Sequence, residues 1–272
     1  MTMRIKWSAQ LFVVVLCALG LKYFYSTASP NQLRWILAPT TFLVEVLSGQ
    51  SFEFESHAGY MSSDNRFLIA ASCAGVNFLL TTFLMLSLRK LWLDRLRSTN
   101  WFLIPISAVF AYIATLIANT ARICIALELQ QNPINLSWLS ANQIHRLEGI
   151  VVYFGFLLFL FMLTERLETS KPTRLMRFFV FPIAIYYGIT LGIPLLNGAY
   201  KQGTAFTEHS LFVLLTPLIL ILPFLAYQLL VTLPFSNLIA LKRNLLLGAH
   251  ASRRALQSAT AVLPNRKSAI IL

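Results

Sequence analysis

Three side chains in this sequence have the chemistry of a nucleophile and its activators: Cys73 in ASCAGVNF, Arg122 in ANTARI and His145 in NQIHRLEG. A thiol attacks a carbonyl carbon only as its thiolate, which forms near neutral pH when a cation or a base stands beside it. A guanidinium and an imidazole are neighbours of that kind. Each residue alone has an ordinary explanation: a cysteine packs as a small hydrophobe, an arginine at a helix end snorkels to headgroups, and a loop histidine is solvated. The three together define a candidate site only if the chain brings them to one level.

Residues around them fit supporting roles. Asn119 precedes Arg122 by three positions and shares its helix face, placed to orient the guanidinium. Glu148 follows His145 by three and either pins the imidazole or pairs outward with Arg146 or Lys201. Gly75 permits another backbone to approach the nucleophile closely, and Asn77 can bond across helices. Cys124 lies about 200 degrees around the helix from Arg122 and faces elsewhere. Cys17, in the middle of a span, is structural; His57 is either solvated or a substrate contact; His209 and His250 take no role. The cysteine spacings form no disulfide framework and no metal site, and no cofactor is called for.

The elements that must position these residues follow from composition. The chain is 57% hydrophobic and 12% charged, with a mean hydropathy of +0.68, which excludes a water-soluble fold. Crossing hydrocarbon takes roughly 20 apolar residues per helix. Six stretches qualify, at about 8–25, 67–88, 101–120, 149–163, 178–196 and 210–231, so the expected fold is an all-α, polytopic membrane protein. The first stretch follows Arg4 and Lys6 but lacks a small-x-small cleavage site, and reads as a retained helix.

A net charge of +12 raises nucleic acid as a partner, and the distribution of charge dismisses it. With six spans and the N-terminus inside, sixteen of the 22 basic residues fall on the cytoplasmic side; Lys22, Arg34, Arg66, Arg122, Arg146 and Lys201 fall outside. This is the positive-inside pattern, with both termini cytoplasmic. Residues 1–231 then form the membrane domain. The basic amphipathic stretch 232–272 adheres to membrane lipids of the anionic inner leaflet.

The connections are more than linkers. Residues 33–49 have helical apolar spacing, broken at Pro39, and suit an interfacial helix anchored by Trp35. SFEFESHAGYMSSDNRF alternates apolar and polar residues around turn signals and predicts a short external hairpin before the second span. Residues 121–148 read as a long external connection, broken at Asn132-Pro133 and re-entering the interface at Leu136-Ser137-Trp138. On this topology Cys73, Arg122 and His145 all lie near the external face.

The ordered set SCAGVNF, NTARI and QIHRLEG over several spans resembles the exosortase/archaeosortase family of membrane-embedded cysteine transpeptidases, its K-type branch included. The resemblance covers approximately residues 8–165. The family's Cys-x-Gly element matches Cys73 and Gly75, its Asn-x-x-Arg element Asn119 and Arg122, and its downstream histidine His145. It implies an inner-membrane sorting protease acting on exported proteins that end in a short motif, one transmembrane helix and a basic cluster. Cys73 as thiolate then attacks the scissile carbonyl, His145 handles the proton, Arg122 holds the oxyanion, and a thioacyl intermediate is passed to an acceptor. From residue 166 onward nothing matches the family. A competing reading is a non-catalytic transporter or assembly subunit that binds an anionic headgroup through Arg122. Other intramembrane proteases are disfavoured, since Gly-x-Ser-Gly, His-Glu-x-x-His and paired membrane aspartates are absent.

Overall fold

Hydrocarbon leaves a backbone two ways to satisfy its polar groups, helix or closed barrel, and this chain takes the first. The structure, a computed structural model, describes residues 2–93, 100–132, 139–168 and 175–232. Among them six helical stretches are long and apolar enough to cross a membrane: Ile5–Thr27, Ala71–Leu93, Leu103–Gln131, Asn142–Leu167, Phe179–Leu196 and Phe206–Pro223. The chain divides into two units, Met1–Leu222 and Pro223–Leu272. All that follows concerns the first unit; of the second, the described residues are the end of a helix through Thr232. The rest of the basic tail lies outside the described residues.

The spans belong to α1 (Thr2–Thr27), α3 (Val76–Leu93), α4 (Leu103–Gln131), α5 (Ala141–Glu168), the run from α6 (Leu175–Tyr187) to α7 (Ile193–Leu196), and α8 (Thr204–Thr232). Between α1 and α3 lies α2 (Arg34–Ser48). The second span is the central one, with 61% of its apolar window buried against 17% for α1. It packs against α1, α4, α5 and α6. Every other spanning helix keeps large apolar side chains on its outer face: Phe12, Phe110, Phe159, Val180 and Ile219 are all exposed. In water each costs about 25 cal/mol per Å²; against lipid tails it costs nothing. The protein is an all-α, polytopic membrane protein.

Proline 39 does not break its helix. Pro39 lies inside α2 and has no N–H for the carbonyl of Trp35 one turn back. The hydroxyl of Tyr112 on α4 donates to that carbonyl instead, at 2.7 Å, while the Trp35 and Tyr112 rings stack 5.8 Å apart. One tertiary hydrogen bond thus repairs the ladder and fixes α2 on α4. Ile36, Leu37, Thr40, Thr41 and Val44 form its buried face.

The hairpin is present and larger than the sequence pattern indicates. Strands β1 (Phe52–Glu55), β2 (Gly59–Ser62) and β3 (Leu68–Ala70) form an antiparallel sheet in that order, with Phe52 opposite Ser62 and Gly59 opposite Ala70. Leu68, Ile69 and Ala70 look like the start of the second span, but their backbone pairs with β2, so the span begins at Ala71. Gly59 makes the pairing possible: its φ is +129°, and a Cβ there would meet the Ile69 carbonyl oxygen at 2.4 Å. Ser62 closes the β2–β3 turn by donating to Asp64 at 2.6 Å and accepting from the amide of Phe67 at 2.9 Å. That hydroxyl, with the Arg66 amide, holds the Asp64 carboxyl below the usual carboxylate range. The sheet delivers the chain to a 3₁₀ turn, Ala71–Ala74, which carries Cys73.

Arg122 and His145 are not loop residues. The connection expected from 121 to 148 is mostly helix: α4 continues to Gln131 and α5 starts at Ala141. Residues 133–138, including the expected interfacial re-entry, lie outside the described residues. Apolar windows end at the first run of polar side chains, whereas a helix continues while each backbone group finds its partner.

Candidate active site

The turn that carries Cys73 is set by Gly75. Its φ of +70° is left-handed, and its carbonyl accepts from the amides of Phe78 at 2.9 Å and Leu79 at 3.0 Å, turning the 3₁₀ segment into α3. The close approach it permits is not by another backbone but by the side chain of Asn119, which a Cβ at Gly75 would meet at 3.1 Å.

Asn119 is fully buried and holds the turn from α4. Its Nδ2 donates to the Cys73 carbonyl at 2.7 Å, and its Oδ1 accepts from the Tyr153 hydroxyl at 2.7 Å. Tyr153, on α5, stacks on Phe78 with centroids 5.0 Å apart. Arg122 lies over the other part of this network: its Nη1 makes a long 3.5 Å contact to the Tyr153 hydroxyl, and its Cζ is 5.5 Å from the ring centroid. Asn119 therefore positions Arg122 through Tyr153 rather than directly.

The second Arg122 nitrogen, Nη2, is 3.2 Å from His145 Nε2. Arginine has only donors, so Nε2 accepts and the ring proton sits on Nδ1. Nδ1 in turn faces Glu148 Oε2 at 3.4 Å. Glu148 is 6% exposed against 54% for His145, and its oxygens make no closer hydrogen bond. Of the two sequence readings for Glu148 the inward one holds, since Arg146 pairs with Glu208 on α8 at 3.5 Å. Gly149 leaves the space that Arg122 occupies: a Cβ there would sit 3.1 Å from the guanidinium Nε, which is buried without a partner among the described residues.

The site residues thus form one connected line: Cys73 backbone, Asn119, Tyr153, Arg122, His145, Glu148. The Cys73 thiol itself makes no hydrogen bond among the described residues, though it lies within electrostatic reach of Arg122, Tyr153 and Tyr25. His145 is turned toward Arg122 and not toward the thiol. Arg122, His145, Tyr153, Ser72 and Gly75 border a cavity of about 590 Å³ to which all six spans contribute; Cys73 is on the turn between Ser72 and Gly75 and is not itself among the lining residues. Its far wall is a π-helical stretch, Gly188–Gly192, between α6 and α7, with Ile189 and Thr190 facing in. A π turn displaces side chains from the ordinary helical register, a common device where a helix borders a site.

Several lining residues carry no sequence signal for the site: Lys22, Tyr25, Tyr153, Tyr186 and His209. Asn77 reaches across helices as expected, accepting from Lys22 at 2.8 Å. His57 is at the tip of the sheet, 3.5 Å from Glu55, away from the cavity. Cys17 and Cys124 do not line the cavity, and His250 lies outside the described residues. No group of three or more metal-ligating side chains occurs among the described residues.

No family model, no curated protein and no solved structure matches this chain.

Proposed function

We propose that the protein is a membrane cysteine transpeptidase that cuts exported proteins near a C-terminal motif, helix and basic cluster, as the motif order resembling exosortases implies. The observation that carries this reading is the line of contacts joining the Cys73 turn to Arg122 and His145 at one cavity. Cys73 Sγ, as thiolate, adds to the scissile carbonyl; the C–N bond breaks, the leaving amine takes a proton, and a thioester remains. Arg122 donates to the oxyanion that forms in between, from a site where such donors are worth ~3–4 kcal/mol. His145 takes the thiol proton and returns it to the amine after turning its Nε2 from Arg122 toward Cys73. An acceptor nucleophile then attacks the thioester and frees the thiol.

The reading sets an order of reactivity for the three thiols. A small permeant alkylating agent is expected to modify Cys73 before Cys17 and Cys124, and more slowly when Arg122 is replaced by alanine, because the cation that favours the thiolate is lost. Labelling of Cys124 or Cys17 ahead of Cys73, read by peptide mass spectrometry, refutes the nucleophile.

Orientation is part of the same proposal: both termini cytoplasmic, the site facing the periplasm of an inner membrane. Reporter fusions after Gln50 and Asn135 are expected to register as periplasmic and one after Arg97 as cytoplasmic. A cytoplasmic signal at Asn135 places the opening on the wrong side for an exported substrate.

A further inference from the structure

The cavity wall carries more positive charge than the cleavage chemistry uses. Lys22, Arg122 and Arg146 line it together with His145 and His209, and among the described residues no aspartate or glutamate does. Two of the three permanent cations are accounted for. Arg122 donates to His145, with Glu148 behind it within electrostatic reach; Arg146 pairs with Glu208. Among the described residues Lys22 has only neutral company, the Asn77 Oδ1 at 2.8 Å and the face of Tyr25 at 5.7 Å.

The placement of Lys22 is not that of a headgroup anchor. It lies inside the first span, Ile5–Thr27, where an ammonium carries a penalty of about 2.5–3.5 kcal/mol at full depth. A snorkelling lysine escapes by extending along its helix toward water. Lys22 instead reaches across to α3 and lines the interior. Asn77 accepts with its oxygen, so its amide N–H groups remain to donate, and Asn77 is exposed to the same cavity. A lysine point charge beside free amide donors is the chemistry that receives an oxyanion.

We infer that Lys22 and Asn77 form a subsite for the phosphate of a phospholipid headgroup. The lipid source follows from the span that carries Lys22. α1 has the smallest buried share of the six spans, and Leu19 and Tyr23, beside Lys22, are exposed on its outer face. A headgroup at Lys22 leaves its acyl chains against that apolar surface, which a free phosphate cannot use. The inference stands independently of whether Cys73 is a nucleophile.

The test is binding, so its failure is separable from failure of the protease reading. The purified full chain in detergent is titrated with dioctanoyl phosphatidylglycerol and followed by native mass spectrometry. One saturable site is expected, weakened about tenfold or more by Lys22→Met, as loss of a charge-assisted hydrogen bond requires, and little changed by Lys22→Arg. Asn77→Leu weakens it too, and carries the test if Lys22→Met does not fold. Equal binding by Lys22→Met, or by Asn77→Leu in its place, overturns the subsite. Displacement of the lipid by equimolar inorganic phosphate, or by equimolar dodecanoate, also overturns it, in favour of a free phosphate or of a carboxylate such as a polypeptide brings.

Discussion

Cells expressing Cys73→Ala are expected to accumulate exported substrate with its C-terminal anchor uncut, the processing rate falling on the order of 10⁴-fold or more, as when a covalent nucleophile is deleted. Cys73→Ser is expected to do the same, since a hydroxyl is a far weaker nucleophile at the same place. The geometry makes this a clean experiment. What ties the turn to α4 is the Cys73 carbonyl, held by Asn119, and both variants keep it. The thiol makes no hydrogen bond among the described residues and is only partly buried, so the fold loses little with it. Cys17→Ala and Cys124→Ala, at positions that do not line the cavity, are expected to process normally. The readout is the C-terminal peptide of exported proteins by mass spectrometry; normal shortening in Cys73→Ala ends the transpeptidase reading.

Much of what the experiment rests on is written in the sequence, because hydropathy and residue type are local. The six spans are visible as apolar runs, and Cys73, Arg122 and His145 stand out as reactive or costly side chains in an apolar chain. The parts that are not visible depend on partners distant in sequence. Tyr153 reads as one aromatic among many in GIVVYFGFLLF, and nothing local says that its hydroxyl joins Asn119 to Arg122 across two helices. Pro39 is a helix breaker by local rules, overruled by a hydroxyl from Tyr112, 73 positions on. Lys22 resembles an ordinary interfacial anchor until Asn77 is found to hold it inward. The length of α4 and α5 past their apolar windows hides the fact that Arg122 and His145 are fixed on helices rather than carried on a loop.

That fixing makes Arg122→Lys the second large effect and a more discriminating one than Arg122→Ala. Removing the guanidinium altogether leaves Glu148, 6% exposed and without a hydrogen bond among the described residues, deprived of the cation in its neighbourhood, and a loss of activity is then confounded with a loss of fold. Lysine keeps the charge and so keeps that balance. What it cannot keep is the fork: Arg122 directs Nη2 at His145 and Nη1 at Tyr153 from one rigid plane and lies over the tyrosine ring, whereas an ammonium is a single point on a mobile stem. If Arg122 works by charge alone, Arg122→Lys retains most of the activity and most of the Cys73 alkylation rate. If it works as an aimed donor to the oxyanion, alkylation stays near the wild-type rate while processing falls about 10²- to 10³-fold, the effect of losing an oxyanion contact worth ~3–4 kcal/mol. The geometry favours the second outcome, because the guanidinium lies over the Tyr153 ring and reaches two positions of α5 at once, which a single ammonium cannot do.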